Sequence, residues 1–382
     1  MGDDTMYHKM QSTADMQWAD DGRCLAPPPV RLALETWAAQ GDFTGLPLCD
    51  EWYRAYTGWW KQRHGFGMEK DWLLYCAGVK PALSCMLRAL TGTGEKVMLL
   101  TPADRVAAEL ICSNGRQVLP CPLQYSGGAY RVDFAKMERQ LSDPQLTMLL
   151  LDNPHSPTGT VWEHNTLEQI GALCSKYDVT VLSDETGCDL TEPGCTYIPF
   201  ASVSDACRES SVTCISPEKL FCLHGMQTAA AVVPNERLRR KVRCALHTEG
   251  IDQPDAFAVP AAAASFTQGA DWLDRRCAAI WENKKAIREF IDRELPELRV
   301  LPSKAGTMVR LDCANVIGCI RAAVPFIPAQ AGIHFADSAW YGNGQADILE
   351  INAECPKDRL PDRLRCFRQG MQKYEQTVIR QC

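Results

Sequence analysis

Short apolar runs alternate with longer amphipathic stretches through the middle of the chain. KVMLLTP (96–102), RQVLPCPL (116–123), TMLLLDNP (147–154), VTVLSDE (179–185), VTCIS (212–216) and AAAVVPN (229–235) are apolar, and several are rich in β-branched residues. Turn or cap residues bound each run, so each predicts a strand. Between them PALSCMLRALTG, LEQIGALCSKYD and NERLRRKVRCALHTEG carry helical patterns, the last opening on Asn235 as a cap and closing on Gly250. This alternation predicts an α/β fold, a mostly parallel sheet covered by helices. The rest of the chain reads differently. WLDRRCAAIWENKKAIREFIDREL (272–295) predicts a long helix, RVLPSKAGTMVRLDC and DILEINAECP two strands, and the chain from about Asp362 a last amphipathic helix. The expected division is an N-terminal arm over 1–45 belonging to the small domain, a large domain over 46–270 and a small α+β domain over 271–382.

Composition narrows the function classes. With 382 residues, 46% hydrophobic and 23% charged, the chain is of ordinary globular type and long enough for two domains. A net charge of −7 argues against nucleic acid or an anionic membrane as partner. No apolar run reaches the roughly 18 residues of a membrane span; AFAVPAAAASF is short and broken by Pro260. The start MGDDTMYHKM is acidic and polar, unlike a secretory signal, and Met6 stands where myristoylation wants Ser or Thr. The 19 cysteines are odd in number and lack any CxxC pair, which predicts free, mostly buried thiols in a reducing cytoplasm. The histidines show no metal spacing, so no metal is expected. RHG (63–65) reads as a helix end with Gly65 beyond it, and Trp59 and Trp60 read as core.

Ligands of open α/β sheets collect at the carboxyl ends of the strands. Here those ends carry DNPHSPTG, SDETGCDL and SPEKLF, three functional turns after three strands. Together with KQRHGF (61–66), GVKPALS (78–84), LTPA (100–103), IPFASVS (198–204) and NAECP (352–356), they give a resemblance covering about residues 16–382. The chain resembles the fold-type I pyridoxal-phosphate-dependent aminotransferase superfamily, and within it the MalY/PatB-type C–S β-lyases. The resemblance implies pyridoxal 5′-phosphate as cofactor, a homodimer, and a small amine or amino acid as substrate. Lys219 matches the lysine that holds the cofactor as a Schiff base and then moves the substrate α-proton. Asp184 matches the carboxylate that keeps the pyridine nitrogen protonated, which makes the ring an electron sink. Val79 and Lys80, at a helix start, match the backbone groups that receive the phosphate. Ser156 and Ser216 complete the implied cofactor contacts.

Several positions depart from the family pattern. Ser156 replaces an asparagine that donates to the cofactor's phenolic oxygen. Asp104 replaces the stacking aromatic and offers no ring, Gly187 replaces a histidine or tyrosine, and FTGLPL (43–48) lacks the family's tyrosine. Glu218 replaces the serine before the lysine. Pointing inward, it would repel the phosphate by about 4 kcal/mol at ~4 Å and an effective dielectric near 20; pointing outward, it would do nothing. Glu350 replaces the arginine that clamps the substrate α-carboxylate. It would repel an ordinary amino acid, and would instead receive an amine or pair with Lys219 or Arg310; a pair with Lys219 would raise that lysine's pKa. Two functions follow: an enzyme with an altered substrate site, or an inactive relative kept as a dimeric binding or regulatory module. A purely structural protein leaves the three strand-end turns unexplained.

Overall fold

The computed structural model describes residues 16–379 apart from 20–21, 42, 44–47, 127, 317–319 and 337–347. Thirteen strands are described: β1 (Leu73–Cys76), β2 (Lys96–Thr101), β3 (Gln117–Pro122), β4 (Gln124–Ser126), β5 (Ala129–Arg131), β6 (Leu146–Asp152), β7 (Thr180–Asp184), β8 (Ser211–Ile215), β9 (Ala229–Val232), β10 (Arg299–Val300), β11 (Met308–Asp312), β12 (Ile333–Ala336) and β13 (Ile348–Asn352). Seven of them form one sheet in the order β1-β9-β8-β7-β6-β2-β3. The pairs from β8 through β3 are parallel, while β9 runs antiparallel to both its neighbours.

The apolar runs are buried on both faces because helices cover both. Val97, Leu99, Leu150 and Leu182 pack with the helices Val79–Leu90 and Glu236–Thr248. Their chain neighbours Met98, Leu149, Leu151 and Val181 point the other way, onto Phe134–Leu141 and His164–Lys176. Period-two alternation thus feeds two cores at once, which is why these strands read as unbroken apolar runs. Asn235 caps Glu236–Thr248 by accepting the Leu238 N–H at 3.1 Å. β1 gave no expectation; its Leu73 and Tyr75 join Trp59, Trp60 and the helix Ala258–Gln268 in a third cluster. Val30 of the helix Pro28–Gln40 packs into that same cluster.

A second, antiparallel sheet has the order β10-β11-β13-β12. The long helix Ala270–Glu294 and the last helix Leu360–Ile379 cover it through Ile287, Ile291, Phe367 and Met371. Gly65 ends the helix Asp50–His64 at φ 66°, its N–H bonding the Lys61 carbonyl, as RHG predicts. The described cysteines are free and most are buried. Among the described residues no helix is long and apolar enough to cross a membrane. The opening segment MGDDTMYHKM and most of FTGLPL lie outside the described residues.

Candidate active site

Parallel pairing brings two carboxylates together. β6 and β7 run in register with Asp152 opposite Asp184, both at the carboxyl ends of their strands. Asp184 is oriented by the residues that follow it, since Oδ1 accepts the Thr186 N–H at 3.0 Å and the Thr186 hydroxyl at 2.6 Å. Lys219 lies in the turn between β8 and β9. That turn is held by the Phe221 N–H on the Pro217 carbonyl and the Leu223 N–H on the Glu218 carbonyl, both 2.9 Å.

Lys219, Asp184 and Asp152 share a cavity of about 610 Å³. Lys219 opens onto it while protein encloses the lysine on its other sides. Asp104, Ser156, Gly187 and Glu350 line the same cavity. Asp104 also caps the helix Arg105–Ser113, its carboxylate accepting the Val106 N–H at 3.0 Å. A side chain at Gly187 would meet nothing within 4 Å, so the glycine leaves open space on that wall.

The other expected cofactor contacts are set back from the cavity wall. Val79, Lys80 and Ser216 do not line the cavity, and neither does Glu218. Ser216 is buried and committed to the backbone: its hydroxyl donates to the Thr228 carbonyl at 2.7 Å and accepts the Glu218 N–H at 3.0 Å. Glu218 turns inward. Its Oε1 accepts the Thr228 N–H at 2.9 Å, and Gln227, the residue before Thr228, lies against Gly78 at the start of the helix Val79–Leu90. Burial pushes this carboxyl up, against the pull of the Thr228 and Val79 N–H groups and of Lys219.

Two further expectations concern the charges around Glu350 and Lys219. Glu350 pairs with Arg310 rather than Lys219: the two face each other across β11 and β13, and Nε lies 3.5 Å from Oε1. The Lys219 amine is held above the usual lysine range by Asp184 first, against burial, with Asp152 and Asp104 adding to the effect. Burial and the neighbouring Asp184 push the Asp152 carboxyl well up, against the pull of Lys219.

Some lining residues gave no sequence expectation. Asp152 is one, although LLLD and VLSD end on aspartates that parallel register would align. Arg276 and Glu354 are another pair. The guanidinium binds both Glu354 oxygens, at 2.6 and 2.9 Å, and donates to the carbonyls of Lys219 and Leu220 at 2.6 and 2.7 Å. The long helix and the loop after β13 are thereby fastened to the lysine turn. His155 is buried and pushed down to about 4 by that burial. Nε2–H donates to the Leu100 carbonyl and Nδ1 accepts from the Thr158 hydroxyl, so this neutral ring braces the wall.

An amine beside a carboxylate fits the aldehyde and ring nitrogen of a pyridoxal. The phosphate fits less well, because the Glu218 carboxylate, bonded to the Thr228 N–H, puts a negative charge beside the start of Val79–Leu90. The seven-stranded sheet with its strand-end cavity defines the class: a fold-type I pyridoxal-phosphate-dependent transferase fold. The family model for aminotransferase class I and II matches residues 19–326, and the chain belongs to that family. Cystathionine beta-lyase PatB of Bacillus subtilis is 33% identical over 349 residues, covering 91% of this chain and 90% of the relative. Protein MalY of Escherichia coli is 27% identical over 312 residues, covering 81% and 79%. Cystalysin from Treponema denticola, whose crystal structure contains pyridoxal 5′-phosphate, superposes with a TM-score of 0.87 at 23% identity over 95% of this chain and 92% of that one. Pyridoxal 5′-phosphate is the cofactor of this family.

The charge around Lys219 sets a pH prediction. A raised pKa leaves less free amine at a given pH, so reaction with an aldehyde slows. Asp184→Asn removes the largest cause, and each unit by which the pKa falls multiplies the free amine roughly tenfold. Labelling of Lys219 at pH 8 by a small aliphatic aldehyde with borohydride trapping is therefore expected to be faster in Asp184→Asn than in wild type. An unchanged or slower rate would show that Asp184 does not control the lysine.

Proposed function

We propose that this chain is a pyridoxal-dependent enzyme of the aminotransferase and C–S β-lyase class, working as a homodimer on a small amine rather than an ordinary α-amino acid. The observation that carries the reading is the Lys219 amine beside Asp184 at the strand ends, on a cavity large enough for a small ligand. Pyridoxal phosphate supplies, when bound, an electron sink for a substrate carbanion. Asp184 is placed to keep a ring nitrogen protonated. Lys219 Nζ, once deprotonated, is the group that accepts a substrate α-proton.

The substrate reading rests on charge. Asp104, Asp152, Asp184, Glu350 and Glu354 line the walls; of the lining cations Arg276 is engaged by Glu354, Arg105 by Glu109 and Lys219 by Asp184, and Arg310 behind the wall pairs with Glu350. A cavity with this balance attracts a cationic amine and repels a carboxylate. Glu218 at the helix start supports a second reading, an inactive relative kept as a binding module.

The test is borohydride reduction of the purified protein mixed with pyridoxal or its phosphate, followed by peptide mapping and assay against amines and amino acids. A label on Lys219, absent from a folded Lys219→Ala variant, together with turnover of an amine, is the expected result. No label on Lys219 from either aldehyde would sink the enzyme reading and leave the binding module.

A further inference from the structure

We propose that Glu218 is a built-in substitute for the cofactor's phosphate, so that the site favours a pyridoxal-type aldehyde without a phosphate group. The inference rests on the reading of Lys219 as the aldehyde-holding residue and concerns the far end of the same ligand. The helix Val79–Leu90 has twelve residues and begins at Gly78, where φ is 102° and no side chain caps the first turn from the cap position. Such a helix start carries partial positive charge and unpaired N–H groups, which together attract an anion. Here the chain supplies that anion itself. The Glu218 carboxylate accepts the Thr228 N–H at 2.9 Å, and Gln227, the residue before Thr228, lies against Gly78, so the negative charge sits beside the helix start.

The glutamate is held there from both sides. Its own N–H is bonded to Ser216 and its carbonyl accepts from Leu223, so the backbone that aims the side chain is tied down. Ser216, an expected phosphate contact, is buried and donates to the Thr228 carbonyl. The cavity lining includes Lys219 and Asp184 but stops short of Val79, Ser216 and Glu218. The groups that would hold a ring and an aldehyde therefore face open space, while those that would hold a phosphate face each other. A phosphate dianion entering here would displace one carboxylate from its N–H partner and pass Asp104 and Asp152 on the cavity wall. A neutral hydroxymethyl group in its place meets neither penalty.

The test compares pyridoxal and pyridoxal 5′-phosphate on the full chain, its Glu218→Ser variant and its Glu218→Gln variant. Lys219 and the aldehyde join with loss of one water, and borohydride fixes the product for peptide mapping. Dissociation constants come from the absorption change on titration. The wild-type chain is expected to bind pyridoxal at least about tenfold more tightly than its phosphate. Glu218→Ser is expected to tighten phosphate-ester binding at least about tenfold and to leave pyridoxal within about twofold. Glu218→Gln, which keeps the size and one acceptor oxygen, is expected to shift the same way by less, and it serves if the serine variant does not fold. Equal binding of the phosphate ester by wild type and both variants, with Lys219 labelled in each, overturns this inference and leaves the enzyme reading standing. No label on Lys219 by either aldehyde in any of the three proteins overturns both.

Discussion

Glu354→Ala is expected to lower the unfolding free energy by about 3–5 kcal/mol, the cost of stranding one member of a buried ion pair. Arg276 is 2% exposed, and both Glu354 oxygens serve it. Without the carboxylate, a guanidinium still tied to the Lys219 and Leu220 carbonyls keeps its charge in a largely buried site with no counter-ion. Moving it to water would require breaking those carbonyl bonds, so neither escape is cheap. The check is urea unfolding of wild type, Glu354→Ala and Glu354→Gln, read at unchanged slope so that midpoints report stability. Glutamine keeps one acceptor and is expected to lose less than alanine. A loss below about 1 kcal/mol for alanine would place the pair in the class of solvated surface bridges and refute its fastening role.

The residues of that clamp show what a chain of this kind reveals before folding. Strands β2, β3, β6, β7, β8 and β9 were legible because each is a short apolar run between turn residues, a signal that survives burial on both faces. β1 was not: LLYC is only four residues, apolar and buried throughout, so it shows no alternation. Lys219 and Asp184 were legible as strand-end residues in recognisable turns, and the cavity brings them together. Arg276 was invisible in WLDRRC, where its burial comes from packing against a turn far along the chain. The orientation of Glu218 was equally hidden, because its partner, the Thr228 N–H, stands just before β9, beside a helix start whose closeness only the sheet order β1-β9-β8 creates. Asp152 needed the register of β6 against β7. Local pattern announces elements and strand-end chemistry, whereas partners across the sheet are properties of the assembled fold.

Position 350 shows why this difference matters for experiment. From sequence, Glu350→Arg looks like a direct way to restore recognition of an α-carboxylate. In the folded chain Arg310 is 2% exposed and faces Glu350 across the sheet. The substitution would set two guanidinium groups against each other where an ion pair stood, and a loss of at least about 3 kcal/mol is expected. Poor amino-acid binding by that variant would then report damage to the sheet rather than the recognition rule. The reversed pair Arg310→Glu with Glu350→Arg keeps opposite charges in contact and moves the guanidinium to the position that lines the cavity. It is expected to recover about 2 kcal/mol or more relative to the single Glu350→Arg variant, read as a coupling energy from the four-protein cycle. Binding of an α-amino acid, measured by calorimetry on the same four proteins, is expected to improve in the reversed pair alone. Additive stabilities would refute the pairing. Full recovery of stability without improved binding would show that the charge at 350 does not select the substrate, and would move the search for selectivity to the remaining acidic wall, Asp104 and Asp152.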